Sequence, residues 1–398
     1  MHKRHTLVKG KILFTILIIL VYMIGRSLPL FGIDTSAYTG SNLDVEMALM
    51  QSISGDAYRT SIFAIGLGPY MIATLVAQLY MAIKSSNTKM GISPKRANRV
   101  GLALTMVLAL FQSVIRLSDL TFTMTGDYLL LAKIVVVVQM LTGVMIILWL
   151  CERNKLYGVG GQMAIIYVNI IDSIRSTMSG NTLSELRLPL IIGLILMVIM
   201  IIMENTELRI PIQRISIHNI HADKNYMAIK LNPIGVMPVM FAMAFFILPQ
   251  FAVKGLLILY PDNTYLISLS EQLTLTHSLG IKVYIAIIYI LTIGFSFVFL
   301  SPKDMAESFS KSGDCIPGLQ AGPDTRWYLR RKILIFSIIS ATVLSISLGL
   351  PLYLQYRGII KSDLVMLPST IMMLTGIWSS LYQEIQAVDS LDSYEPFI

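Results

Sequence analysis

Hydrophobic residues recur along the chain in runs of about 20, and short polar segments separate the runs. Because the hydrocarbon core of a bilayer is about 30 Å thick, an α-helix needs roughly 20 apolar residues to cross it. The pattern therefore predicts an all-α membrane protein with ten spans. They cover residues 11–30, 62–83, 99–118, 128–150, 159–178, 187–203, 234–253, 280–300, 329–350 and 364–388.

The second run is interrupted near its start by Gly66, Gly68 and Pro69. Proline lacks a backbone N–H and clashes with the preceding turn, while glycine weakens a helix locally. One interpretation is that residues 54–65 form a short non-spanning element that leans into an interior cavity, with a spanning helix from about 67 to 83. The other is an ordinary proline-kinked helix.

Composition places the chain in the polytopic membrane class, since 55% of its 398 residues are hydrophobic and only 14% are charged. The first run is too long for a secretory signal peptide and has no cleavage pattern after it, so a membrane helix is predicted. Most Lys and Arg residues fall in alternate connecting segments. By the positive-inside rule this predicts two cytoplasmic termini, and it explains the net charge of +8 without nucleic-acid binding.

The sequence contains no convincing catalytic, nucleotide-binding or metal-binding motif. His218 and His221 have no further ligand at suitable spacing, and Cys151 and Cys315 are predicted to be free thiols in a reducing compartment. We therefore expect no enzyme activity, metal or cofactor. The helix centres carry almost no charge, which argues against the main alternative, an ion-coupled small-solute secondary transporter.

Two long segments, residues 204–232 and 301–326, are predicted to lie on the cytoplasmic side. Ordered loops of this length are typical docking surfaces for a cytosolic partner, although they could also be merely longer hairpins. The 24 methionines suit an apolar pore that adapts to varied polypeptides, although for any one of them packing in the core or against lipid is the favoured interpretation. Gln112, inside the third run, is expected to face other helices rather than lipid.

Several segments in order along the chain resemble the SecY protein-conducting channel family. They are Lys11–Thr15 with Tyr22, Ser61–Met71 with Gln78, Val107–Ser113, Gly158–Gly161, Arg209–Gln213, Lys230–Asn232, Gly235–Pro238 and Ile316–Gly318. The resemblance implies ten helices in two inverted five-helix halves that form a clam shell, residues 1–178 with a plug at about 54–65, and residues 179–398. It also implies a pore subunit in the bacterial plasma membrane that passes unfolded secretory polypeptides. The implied partners are a SecA-type motor ATPase, SecE-like and possibly SecG-like small membrane subunits, secretory preproteins and membrane lipids.

The resemblance also assigns roles to individual residues. The implied pore ring is Leu67, Met71, Tyr167, Ile171, Met240 and Ile377, and the implied plug includes Ser54, Gly55, Asp56, Ala57, Tyr58, Arg59, Thr60 and Ser61. The implied lateral gate includes Thr74, Gln78, Gln112 and Pro238, and the implied motor-docking residues are Arg209, Arg214, Lys303, Lys311 and Gln320.

Two positions depart from the family pattern. Tyr167 replaces an aliphatic ring residue, and Gln320 stands where the docking loop commonly carries arginine. The altered docking position, the short N-terminus and the acidic C-terminal tail resemble an accessory SecY of Gram-positive bacteria. That branch implies a dedicated SecA-type motor and export of serine-rich glycosylated adhesins.

Overall fold

A computed structural model of the protein describes residues 6–33, 60–87, 94–117, 120–123, 126–214, 226–260, 263–320 and 322–392. The helices are α1 (Thr6–Ser27), α2 (Gly68–Asn87), α3 (Pro94–Arg116), α4 (Asp127–Tyr157), α5 (Gln162–Ser179), α6 (Leu183–Asn205), α7 (Met237–Leu259), α8 (Thr264–Gln272), α9 (Ser278–Phe299), α10 (Pro302–Ser312), α11 (Pro323–Tyr356) and α12 (Leu367–Asp392). The strands are β1 (Glu207–Pro211), β2 (Gln213–Arg214), β3 (Tyr226–Lys230) and β4 (Asp314–Cys315).

Helices α1–α7, α9, α11 and α12 coincide with the ten predicted spans, so the predicted ten-helix, all-α fold is confirmed. Within the described ranges, α1, α3, α4, α6, α9, α11 and α12 are long and apolar enough to cross a membrane. Their outward faces remain apolar: Leu13 of α1, for example, is 70% exposed. Exposed aliphatic side chains along whole helices are what a lipid environment requires.

The chain forms two compact units. The first comprises Met1–Gly193 and Ile360–Ile398, and the second comprises Leu194–Ile359. The predicted boundary between residues 178 and 179 separates two inverted repeats, whereas these units are defined by contacts. That boundary therefore stays a prediction.

The first unit shows how a polar residue is accommodated within the fifth predicted span. Asn169 of α5 is buried, and its side-chain oxygen accepts a hydrogen bond of 2.9 Å from the hydroxyl of Tyr22 in α1. A paired polar group is tolerated in an apolar interior, because its hydrogen-bonding capacity is used there. The polar residue thus joins two helices instead of weakening one.

The second unit joins the two long segments predicted to be cytoplasmic into one structure, which we call the loop module (residues 206–214, 226–231, 301–320 and 322). Strands β1 and β3 pair antiparallel, with Arg209 opposite Ala228, and β2 of the first segment pairs with β4 of the second. Sequence reasoning did not predict these strands. Beneath them lies a shared core with α11, built from Ile210, Ile229, Ile316, Leu329 and Ile333.

This shared core predicts that Leu329→Ala destabilises the loop module. Leu329 is fully buried, and removing a buried leucine side chain typically lowers the free energy of unfolding by about 2–5 kcal/mol. The measurement is denaturant unfolding together with the rate of limited proteolysis within residues 206–231 and 301–322.

The matched control is Leu334→Ala, at a 38% exposed position of the same helix, where we expect a change of about 0.5 kcal/mol or less. Equal stabilities of the two variants would contradict the shared core.

Candidate functional site

The break before α2 is an irregular segment, residues 60–67, whose backbone forms hydrogen bonds with the residues that follow α1. The amide of Leu30 donates to the carbonyl of Thr60 at 2.8 Å, and the amide of Ile62 donates to the carbonyl of Leu28 at 3.0 Å. Within the segment, the amide of Gly66 bonds the Phe63 carbonyl at 2.9 Å. Non-helical backbone inside a membrane protein persists only where protein or water satisfies it, and here protein does so.

The local sequence explains where the segment ends. Gly66 adopts a φ of 62°, a left-handed conformation that glycine adopts without steric cost. Pro69 then lies in the first turn of α2, where its missing N–H is no loss and its fixed φ suits a helix start. The prediction of a non-spanning element followed by a helix from about residue 67 is thus confirmed for residues 60–87. The proposed plug residues Ser54–Arg59 lie outside the described residues.

The segment is packed tightly against α1 and α4. Phe63 is 3% exposed, and its ring stacks on Tyr22 with centroids 5.6 Å apart and planes within 6°. A Cβ at Gly25 of α1 would lie 2.4 Å from the Phe63 ring, and one at Gly143 of α4 would lie 2.1 Å from the Ile62 carbonyl oxygen. Two glycines therefore make room for the segment.

The structure places five of the proposed pore-ring residues in the first unit. Leu67 and Met71 flank the start of α2, and both are 1% exposed; Ile377 of α12 is fully buried. On α5, Ile171 is 45% exposed, whereas Tyr167 is half-buried and contacts Trp378 with ring centroids 6.1 Å apart. The departure at Tyr167 therefore has a local partner, since its ring packs on the residue next to Ile377.

The sixth proposed ring residue, Met240, lies in the second unit. It is 2% exposed and occupies the first turns of α7. The assignment of all six residues to a ring stays a prediction.

Of the proposed gate residues, Thr74 and Gln78 lie in α2 and Gln112 in α3, while Pro238 begins α7. The hydroxyl of Thr74 bonds the Met71 carbonyl of its own helix at 2.9 Å. A Cβ at Gly68 would lie 3.9 Å from the Gln112 side-chain oxygen, so Gln112 faces α2 as expected of an interhelical polar residue. The gate assignment also stays a prediction.

Two ion pairs lie near the ends of predicted spans. Arg26, at the end of α1, forms an ion pair of 2.5 Å with Asp172 of α5, and Lys361 forms one of 2.5 Å with Glu185 at the start of α6. Among the described residues, the buried charged residue is Glu204, in the last turn of α6.

The proposed docking residues lie in the loop module. Arg209 is exposed, its Nε bonds the Glu207 carboxylate at 2.8 Å, and its guanidinium lies over the Tyr226 ring at 4.8 Å. The Glu207 bond raises the pKa of Arg209, so this residue stays cationic at every physiological pH. Arg214 lies in β2, and Lys303 and Lys311 lie at the two ends of α10.

Gln320 completes the proposed docking set. It is exposed, just after the tight turn in which the Leu319 amide bonds the Ile316 carbonyl at 3.0 Å, and its own carbonyl accepts a bond of 2.9 Å from the Thr325 hydroxyl. The side chain at this position is thus presented by a fixed backbone.

Sequence reasoning missed a buried polar cluster in the first unit. Asn154 is fully buried, and its amide donates to the carbonyls of Val159 and Gly161 at 2.9 Å each, while its oxygen accepts from the Thr15 hydroxyl at 2.9 Å. The amide of Gly160 bonds Glu384 of α12 at 3.0 Å. The available signal was the glycine-rich turn itself, since close backbone turns need side-chain partners.

Solved structures with a similar fold are protein-conducting channels. One described as "the structure of a protein conducting channel" matches with a TM-score of 0.67 at 17% identity, over 98% of this chain and 94% of that one. Sec61 in the canine ribosome-channel complex from the endoplasmic reticulum matches with a TM-score of 0.64 at 15% identity and the same coverage. The fold is therefore that of this class of channel.

Sequence comparison identifies the family. The SecY family model matches residues 61–381, so the chain belongs to the SecY family. An accessory Sec system protein translocase subunit SecY2 of Leuconostoc gelidum subsp. gasicomitatum is 26% identical over 98% of this chain and 96% of its own length. One of Streptococcus sanguinis is 28% identical over 98% and 97%. The predicted family is confirmed, and these relatives bear the name of the predicted branch.

The close approach of Gly143 to Ile62 predicts that Gly143→Ala displaces residues 61–65. The new Cβ would meet a backbone oxygen rather than a movable side chain, and such overpacking typically costs about 1–3 kcal/mol. We expect a lower thermal midpoint and faster ion leak from vesicles that contain the variant.

The control is Gly294→Ala in α9, where a Cβ would meet no atom within 4 Å, so we expect unchanged or slightly higher stability. An ion-tight Gly143→Ala variant with the wild-type midpoint would contradict the packing role of Gly143.

Proposed function

We propose that this chain is the central pore subunit of an accessory protein translocase in a bacterial plasma membrane. It passes unfolded secretory polypeptides, with serine-rich glycosylated adhesins as the substrate class, and both of its termini are cytoplasmic. A SecA-type motor ATPase supplies the energy, and the channel itself catalyses no reaction. SecE-like and SecG-like membrane subunits assemble beside it.

The buried, irregular segment 60–67 is the observation that carries the proposal. It ends a membrane span early and leaves Leu67 and Met71 at the head of α2. A helix that starts within the protein rather than at its surface is suited to line a cavity. An apolar lining of Leu, Met and Ile would exclude water and ions by dewetting and still yield to a passing polypeptide, since methionine adapts to varied surfaces.

The loop module is the proposed motor-docking surface. It presents Arg209, Arg214, Lys303 and Lys311 from one folded core, and Arg331 and Lys332 at the start of α11 lie over the rings of Trp327 and Tyr328 at 5.6 and 5.5 Å. Aromatic and basic side chains on a preorganised backbone are typical of protein interfaces, because little conformational entropy is lost when they bind. This surface fits a partner with acidic side chains.

Photocrosslinking tests the pore. A probe at position 240 should crosslink to a secreted protein arrested in mid-export by its motor, and a probe at position 130 should not, because Leu130 is 69% exposed on α4 and faces outward. Crosslinks of equal yield from both positions, or none from position 240 with an export-competent passenger, would overturn the proposed pore.

The apolar ring predicts that Met71→Asp and Met240→Asp make the resting channel leak ions. A carboxylate in a narrow apolar constriction keeps it hydrated, so the dewetted barrier is lost. The measurement is ion efflux from vesicles, with Leu130→Asp as the control. If both variants are ion-tight, Met71 and Met240 do not belong to the ring.

The docking surface predicts that Arg209→Glu weakens motor affinity by roughly tenfold or more, because a reversed charge repels an acidic partner. Arg214→Glu should act in the same direction, and raising the salt concentration should weaken binding to the unmodified channel. Arg357→Glu, at the other end of α11, is the matched control. Motor affinity that is unchanged in both loop variants would exclude this surface as the docking site.

A further inference from the structure

The buried carboxylate of Glu204 lies at the junction between the loop module and three helices. Its side chain is 3% exposed, although it lies next to the last residue of α6, beside the exposed loop segment. Burying a carboxylate is costly unless it is paired and hydrogen-bonded, so its partners define what it holds in place. The partners lie on three different parts of the second unit.

The first partner joins Glu204 to the loop module. The Nζ atom of Lys230, the last residue of β3, lies 3.9 Å from Glu204 Oε2. In the β1–β3 register, Lys230 is opposite Glu207, whose carboxylate binds the exposed Arg209. The pairing of β1 with β3 therefore places the residue that binds the exposed guanidinium opposite the residue that faces the buried carboxylate.

The second partner joins Glu204 to α11. The Asn232 amide donates to Glu204 Oε1 at 3.3 Å, and the Asn232 side-chain oxygen accepts from the Ser340 hydroxyl at 2.9 Å. Asn232 is 1% exposed and Ser340 is fully buried. The orientation of the Asn232 side chain is therefore fixed, because its amide donates to Glu204 and its oxygen accepts from Ser340.

The third contact joins Glu204 to the start of α7. Gly235 has a φ of 67°, and a Cβ there would lie 3.1 Å from Glu204 Oε1. Two residues later α7 begins, and it carries Met240 and Pro238. The carboxylate is therefore packed against the turn that sets the first residues of this helix.

We propose that Glu204 is a positioning residue that couples motor docking on the β1–β3 strand pair to α7 and α11. This role rests on the proposed function. A buried group of hydrogen-bonded polar side chains makes a junction more rigid than apolar contacts alone, because each hydrogen bond is directional. Displacement of the β1–β3 strand pair is therefore transmitted to both helices as one movement. This coupling is measured as the loss of transport rate in each variant at a saturating concentration of motor, where docking is complete.

The decisive experiment compares Asn232→Asp, Glu204→Gln and the two combined in the full-length channel, reconstituted with its motor. Asn232→Asp replaces the amide donor with a second carboxylate facing Glu204, and Glu204→Gln removes the charge that Lys230 faces. In the combined variant the bond is reversed, since the amide introduced at position 204 donates to the carboxylate introduced at position 232. That carboxylate still accepts from Ser340.

We expect each single substitution to lower the maximal transport rate about tenfold at saturating motor and to leave motor affinity within about twofold, with the combined variant recovering most of the rate. Asn205→Asp adds the same carboxylate at an exposed neighbouring position and should match the unmodified channel. Ser340→Ala removes one hydroxyl and should give a smaller loss of the maximal transport rate. It replaces Asn232→Asp in the comparison if that variant does not fold. Each transport rate is divided by the amount of monodisperse channel. The thermal midpoint of every variant is measured as well, so that loss of folding is not mistaken for loss of coupling.

Three results would overturn the coupling role. One is a normal maximal rate for Asn232→Asp, and another is a combined variant no better than its parents. The third is a loss of motor affinity parallel to the loss of rate, as expected for Arg209→Glu, which would place Glu204 in docking alone. An unmodified channel without motor-dependent transport would overturn the proposed function, and the coupling role would fall with it.

Discussion

A backbone amide or carbonyl inside a membrane protein must find its partner within the protein, because lipid offers none. Residues 60–67 meet this constraint by pairing with the chain that leaves α1, through Leu28 and Leu30. The start of α2 therefore depends on where α1 ends, and the position of Leu67 and Met71 depends on both. Gly25 and Gly143 supply the space that this arrangement needs.

Features with a local cause could be predicted from sequence. Run length gave the ten helices, and Gly66 with Pro69 marked the break, because proline and glycine act on the backbone within a turn or two of their own position. The proposed docking loops were recognisable from their length. Their short strands were not, since two to five residues carry too little periodicity to separate a strand from a loop.

Features with distant causes could not be predicted in this way. Glu204 and Asn232 lie 28 residues apart, and Asn232 and Ser340 lie 108 apart, so no local pattern joins them. Asn169 lies in the fifth predicted span, and its partner Tyr22 lies in α1, 147 residues away. In both cases the partner of a buried polar side chain lies far along the chain, and only the fold brings the two together.

The common core beneath the two long loops has a consequence for how the proposed docking surface can change. Ile210 and Ile229 come from one loop, Ile316 from the other, and Leu329 from α11, yet all four fill one space. A core substitution in either loop must therefore pack against the side chains that the other loop contributes. Exchange of docking specificity between relatives would require both loops and the first turns of α11 to be transplanted as a set, because a single loop would arrive without its half of the core.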